Sequence, residues 1–146
     1  MRASVREFIA KTRIILYPED YTVVSIPRSN EIEAKSLLCG LEPFSCVTFD
    51  EAEVSAVLRT KEWMRLKSNF TGSSEEGPYC LFTFDIILDL SVVGFLNAIL
   101  ERLEEMGISI FAISTFLRDH ILVRKVDSEK ASEVLQNLIE QCRRLN

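Results

Sequence analysis

Apolar residues recur at helical spacing twice in the second half of the chain. Val92, Phe95, Leu96, Ile99, Leu100, Leu103 and Met106 share one face of a helix over 92–106. Glu101, Arg102, Glu104 and Glu105 lie largely on the other face, and Gly107 ends the helix. Ala131, Val134, Leu135, Leu138, Ile139 and Cys142 repeat at spacings of three and four behind a cap at Asp127 or Ser128. Between these helices two apolar runs, 108–115 and 120–124, flank a short polar hairpin, and a longer run over 79–88, interrupted by Asp85, precedes the first helix. The second half therefore reads strand–helix–strand–strand–helix, one strand short of the split βαββαβ unit.

The first half is less regular. Residues 12–17 read as a strand, Pro18-Glu19-Asp20 as a turn, and the β-branched run 21–26 as a second strand stopped by Pro27. Asn30 with Glu33 is a capping-box variant opening a short helix that carries Ile32, Leu37, Leu38 and Leu41, with Gly40 near its end. Strands over 44–49 and 54–58 flank an acidic turn at Asp50-Glu51, and 62–67 is a helical turn whose Trp63 covers an edge. The polar, glycine-bearing stretch 71–78 is the clearest linker. The expectation is an α+β protein of two βαββαβ units, 1–75 and 76–146. No strand follows the last helix before Asn146, so the surplus strand 12–17 completes the other half's sheet or a partner's.

Composition narrows the function. A net charge of -5 over 146 residues, with no basic patch, sets nucleic acid aside as a partner. No apolar run is long enough to cross a membrane and the N-terminus lacks a signal-peptide core, so a cytoplasmic protein is expected. Cys39, Cys46, Cys80 and Cys142 are widely spaced, which points to free thiols, with no metal and no cofactor expected. Phosphate loops, dinucleotide fingerprints, zinc-protease motifs and nucleophile elbows are all missing.

The runs Gly107-Ile108-Ser109-Ile110-Phe111, Ile113-Ser114-Thr115-Phe116 and Asp119-His120-Ile121-Leu122-Val123, with Gly94 at the helix start, resemble the ACT-domain family. The likeness extends to small tandem-ACT proteins and the ACT modules of the eukaryotic cytosolic arginine sensors of the CASTOR type. It is strong over 79–133 and weaker over 20–59. The resemblance implies tandem ferredoxin-like ACT modules; the missing last strand adds strand exchange between them, and their open sheet edges a homodimer. The resemblance also implies an amino acid or related metabolite bound by Val92, Val93 and Gly94 of the strand-to-helix loop and by Thr115, Phe116 and Asp119 of the hairpin. One position departs from the arginine sensors: Val92 stands where their binding module has an acid, which leaves the pocket more apolar.

Elementary chemistry supports a site here without the family. In a βαββαβ sheet the first and third strands are antiparallel neighbours, so Asp119 falls near the start of the 92–106 helix. A helix start offers unpaired N–H groups to a carboxylate, and Asp119 suits an ammonium. Alternatively, Asp119 pairs with Arg118 or Arg124 or holds the turn, and Arg118 faces solvent. Ser91 is a helix cap or a ligand contact. Two other functions stay open. One is a structural module with a degenerate pocket. The other is a lyase, isomerase or cyclase using Asp119 and His120, the only histidine, as acid–base groups.

Overall fold

The computed structural model describes residues 1–146. Its elements follow in the order α1 (Ala3–Lys11), β1 (Arg13–Pro27), α2 (Glu31–Leu37), β2 (Cys46–Phe49), β3 (Glu53–Arg59), α3 (Thr60–Leu66), β4 (Ser74–Asp85), α4 (Phe95–Glu105), β5 (Ile110–Ser114), β6 (Asp119–Arg124) and α5 (Ser128–Arg144). They form two compact units: Met1–Tyr17 with Cys80–Asn146, and Pro18–Tyr79. No helix is long and apolar enough to cross a membrane.

In the unit built around the C-terminal residues the strand order is β1-β4-β6-β5, with β1 represented by residues 13–17. This is the order of a ferredoxin-like sheet. β5 and β6 pair antiparallel from Ile110↔Val123 to Ser114↔Asp119. Thr83 meets His120, Asp85 meets Arg118, and the Leu88 N–H meets the Leu117 carbonyl, so β4 and β6 also run in opposite directions. Phe82, Phe84, Ile121 and Val123 form the sheet side of the core; α4 covers them with Phe95, Ile99 and Leu103, and α5 with Leu135, Leu138 and Ile139. Phe84 and Phe95 meet edge to face, their ring centroids 6.0 Å apart.

The sequence pattern does not predict helix α1. Its nine residues are too few for a strong period, yet Val5 and Ile9, four apart, are both buried in this core. The Thr12 hydroxyl closes its C-terminal end by donating to the Phe8 carbonyl at 2.8 Å.

The second unit has the strand order β2-β3-β1-β4, again ferredoxin-like, with 74–79 as the β4 portion. β1 and β3 pair antiparallel from Tyr21↔Arg59 to Pro27↔Glu53. The expected turn at Pro18-Glu19-Asp20 does not form, because β1 is one continuous strand. Pro18 lies outside the stretch paired with β3, so its missing N–H costs that ladder nothing. The acidic turn is present as expected, with Asp50 Oδ1 accepting from the N–H groups of Ala52 and Glu53 at 2.7 and 2.9 Å. Asn30 precedes α2 without capping it through its side chain.

The stretch read as a linker is a short turn followed at Ser74 by β4. Its polar residues face solvent from an end strand of this unit's sheet, and Glu75 accepts from the Trp63 indole at 2.6 Å and from Lys67 at 3.2 Å. Trp63 is itself core, stacked on Phe70 and packed in one cluster with Val24, Ile26, Val54 and Leu58.

Candidate functional site

At one end of the C-terminal unit's sheet, residues 88–94, the first turn of α4 and the 114–119 hairpin enclose a hollow of about 270 Å³. The loop is shaped by Asp89, whose Oδ1 accepts from the Ser91 N–H at 2.9 Å and the Ser91 hydroxyl at 2.6 Å. These two bonds hold the Asp89 carboxyl below the usual carboxylate range, the hydroxyl having the larger effect. Gly94 then turns the chain into α4 with φ +96°. The first helical bond runs from the Ala98 N–H to the Gly94 carbonyl at 3.0 Å. The start of α4 carries neither a side-chain cap nor an acid in its first turn. Its leading N–H groups and the positive end of the helix dipole are thus uncompensated beside the hollow.

Gly94 is required by conformation, since an added Cβ would sit 3.6 Å from Val5 Cγ2, an ordinary contact. Gly94→Ala is therefore expected to cost about 1–2 kcal/mol through its left-handed backbone. Gly107, at φ +70° with open space around it, should show the same loss on replacement by Ala. Denaturant titration of both variants checks the pair, and only Gly94→Ala should also disturb binding in the hollow.

The hairpin forms the opposite wall. The Thr115 N–H and hydroxyl both donate to the Arg118 carbonyl, at 2.9 and 2.8 Å, which fixes the turn. The Ser114 hydroxyl donates to Asp119 Oδ1 at 2.7 Å. Asp119 pairs with neither Arg118 nor Arg124. The Arg118 Nε instead donates to Asp85 Oδ1 at 3.1 Å, and Arg13 Nη2 donates to Asp85 Oδ2 at 2.8 Å. Hydrogen bonds from Arg13, then Arg118, hold the Asp85 carboxyl below its ordinary range.

His120 is buried beneath this wall. The Thr115 hydroxyl proton is committed to the Arg118 carbonyl, so at His120 Nε2, 3.2 Å away, Thr115 accepts. Nε2 then carries the ring proton, and Nδ1 accepts from the Thr83 hydroxyl at 2.8 Å. Burial lowers the His120 pKa, against a weaker opposing pull from Asp119. The unfolded imidazole takes a proton near pH ~6.5 and the folded one only at lower pH. Stability is therefore complete above about 6.5 and falls as pH drops through that value, with a slope of up to ~1.4 kcal/mol per pH unit. Urea denaturation at about pH 7.5 and about pH 5.5 should show this loss, reduced in His120→Gln; equal stabilities at both pH values would reject it.

Of the residues named from the sequence, Val92, Gly94, Thr115, Phe116 and Asp119 line the hollow, while Ser91 and Val93 do not. Ser91 is no helix cap: α4 starts at Phe95, and the Ser91 hydroxyl turns back to Asp89. Val93 points its apolar side chain to solvent. The sequence reading missed Arg118, which is on the wall and half-buried, and missed Leu96 and Asn97 of the first helical turn. A glycine followed by Phe95 was the available signal for the later helix start.

Residues 77–137 match the family model described as the ACT domain. No curated protein matches the chain. Among solved structures, a Vibrio cholerae protein of unknown function, described as a possible transport protein, is 20% identical with a TM-score of 0.70, over 93% of this chain and 96% of its own. An Agrobacterium tumefaciens protein is 23% identical with a TM-score of 0.72, over 88% and 89%. The regulatory subunit of aspartate kinase from Thermus thermophilus is 10% identical with a TM-score of 0.66, over 87% and 97%. At these identities the likeness is one of fold, the α+β ferredoxin-like fold of ACT-type regulatory domains.

Proposed function

We propose that this chain is an ACT-type regulatory protein that binds a free α-amino acid in the hollow between α4 and the 114–119 hairpin. One observation carries the reading. Asp119, a carboxylate with no cationic partner, shares the hollow with the uncapped start of α4. The helix start suits the ligand's carboxylate and Asp119 its ammonium. The ACT match over 77–137 spans every residue of that hollow. Residues 1–75 and 76–146 are then two ACT-type modules in chain order, each lending its first residues to the other's sheet.

Acid–base catalysis by Asp119 and His120 has less support. Both ring nitrogens of His120 are engaged by threonines, and the residue is not on the wall of the hollow. A thermal-shift panel of the free amino acids tests the binding function. A ligand at about a hundred times its dissociation constant adds about 2.7 kcal/mol of stability. A panel in which no amino acid raises the midpoint would reject the reading.

The protein also acts as a homodimer in this proposal. β5 is an end strand with no charged residue or proline to guard its edge, and Phe111 on it is exposed. Sedimentation should give a dimer at micromolar concentration, and a monomer there would remove this part of the proposal.

A further inference from the structure

We infer, resting on the amino-acid reading above, that the hollow selects an α-amino acid with an apolar side chain. The charged groups at the hollow are Asp89, Arg118 and Asp119, with Asp85 and Arg13 tied to Arg118. In this reading Asp119 is taken by the ligand's ammonium. The Arg118 Nε is committed to Asp85, which leaves its terminal nitrogens to join the start of α4 in holding the carboxylate. Arg118 is thus a binding residue here rather than a solvent-facing one, and Asp85 positions it. Asp89 has turned Oδ1 onto Ser91 and is exposed, so a cation reaching it gains little over water.

Asp89, exposed and turned onto Ser91, is then the one charged group on the wall outside these contacts. Leu88, Leu90, Val92, Leu96, Phe116 and Leu117 give the ligand's side chain an apolar surface, beside the uncharged Asn97, Ser114 and Thr115. Leu90 is 70% and Phe116 76% exposed, apolar surface that a ligand side chain would take out of water. A side-chain carboxylate entering the same space would shed hydration without finding a free cation, and an ammonium or guanidinium would find only the exposed Asp89, where an ion pair gains little.

Calorimetric titration of the full chain with leucine, methionine, glycine, arginine, lysine and glutamate tests this. Leucine or methionine should bind at least about tenfold more tightly than glycine and than each of the three charged amino acids. Arginine, lysine, glutamate or glycine binding as tightly as both apolar ligands would overturn the inference while leaving amino-acid binding in place. No heat from any of the six would overturn the inference, and the amino-acid reading falls with it only if the full amino-acid panel also leaves the thermal midpoint unmoved.

Discussion

Asp119→Asn is expected to weaken amino-acid binding about ten- to a hundredfold and to leave folding unchanged. The substitution keeps the shape of the side chain, and its Oδ1 still accepts the Ser114 hydroxyl now held at 2.7 Å. What it removes is the negative charge, and hydrogen bonds to charged groups contribute about 1.5–3 kcal/mol. No arginine or lysine pairs with Asp119, so its loss leaves no orphaned cation behind. Stability should stay within about 0.5 kcal/mol of the parent, as for surface changes away from buried networks. Titration calorimetry with the ligand found by the amino-acid panel, alongside thermal denaturation, measures both quantities. An Asp119→Asn variant that folds normally and binds as tightly as the parent would show that the ammonium does not sit at this carboxylate.

The parts of the fold visible in the sequence are those in which periodicity and length act together. The apolar faces of α4 and α5 span several turns, and the β5–β6 hairpin alternates about a polar turn, so each was placed to within a few residues. Short elements were not visible. In α1 only Val5 and Ile9 are buried, and what identifies it as a helix is the core it lands on, a tertiary fact. Pro18 and the 71–78 stretch misled for one reason: proline, glycine and charge mark turns only where a strand needs its backbone groups on both sides. At an end strand, or beyond the paired register, they are tolerated.

The hollow was legible through its hairpin and less so through its loop. Asp119 follows from the antiparallel neighbours of the sheet, and Thr115 and Phe116 from the resemblance of the hairpin to the ACT family. The loop reads three residues early because Ser91 has the chemistry of a helix cap, whereas its N–H and hydroxyl donate back to Asp89 and the cap position falls at Gly94. Arg118 was hidden for a different reason. Its partner Asp85 is distant in sequence, and only the antiparallel pairing of β4 with β6 brings the two together.

Trp63→Ala should destabilise the chain by about 3–5 kcal/mol, the range for truncating a large buried aromatic side chain. Trp63 is 1% exposed, and its ring stacks on Phe70 with centroids 5.8 Å apart and an interplanar angle of 22°. Truncation leaves a cavity beneath Phe70 among Val24, Ile26 and Leu58, where rigid strands limit collapse. It also removes the indole N–H that donates to Glu75 at 2.6 Å, leaving that carboxylate only Lys67 at 3.2 Å. Trp63→Phe separates the two contributions, since it keeps a stacked ring and loses the donor. It should cost about 1.5–3 kcal/mol, the value of a hydrogen bond to a charged group. Urea denaturation followed by far-ultraviolet circular dichroism gives both numbers without relying on the only tryptophan as the probe. If Trp63→Ala unfolded within about 1 kcal/mol of the parent, Trp63 would be covering an edge, as its sequence context suggests, instead of filling the core of the 18–79 unit.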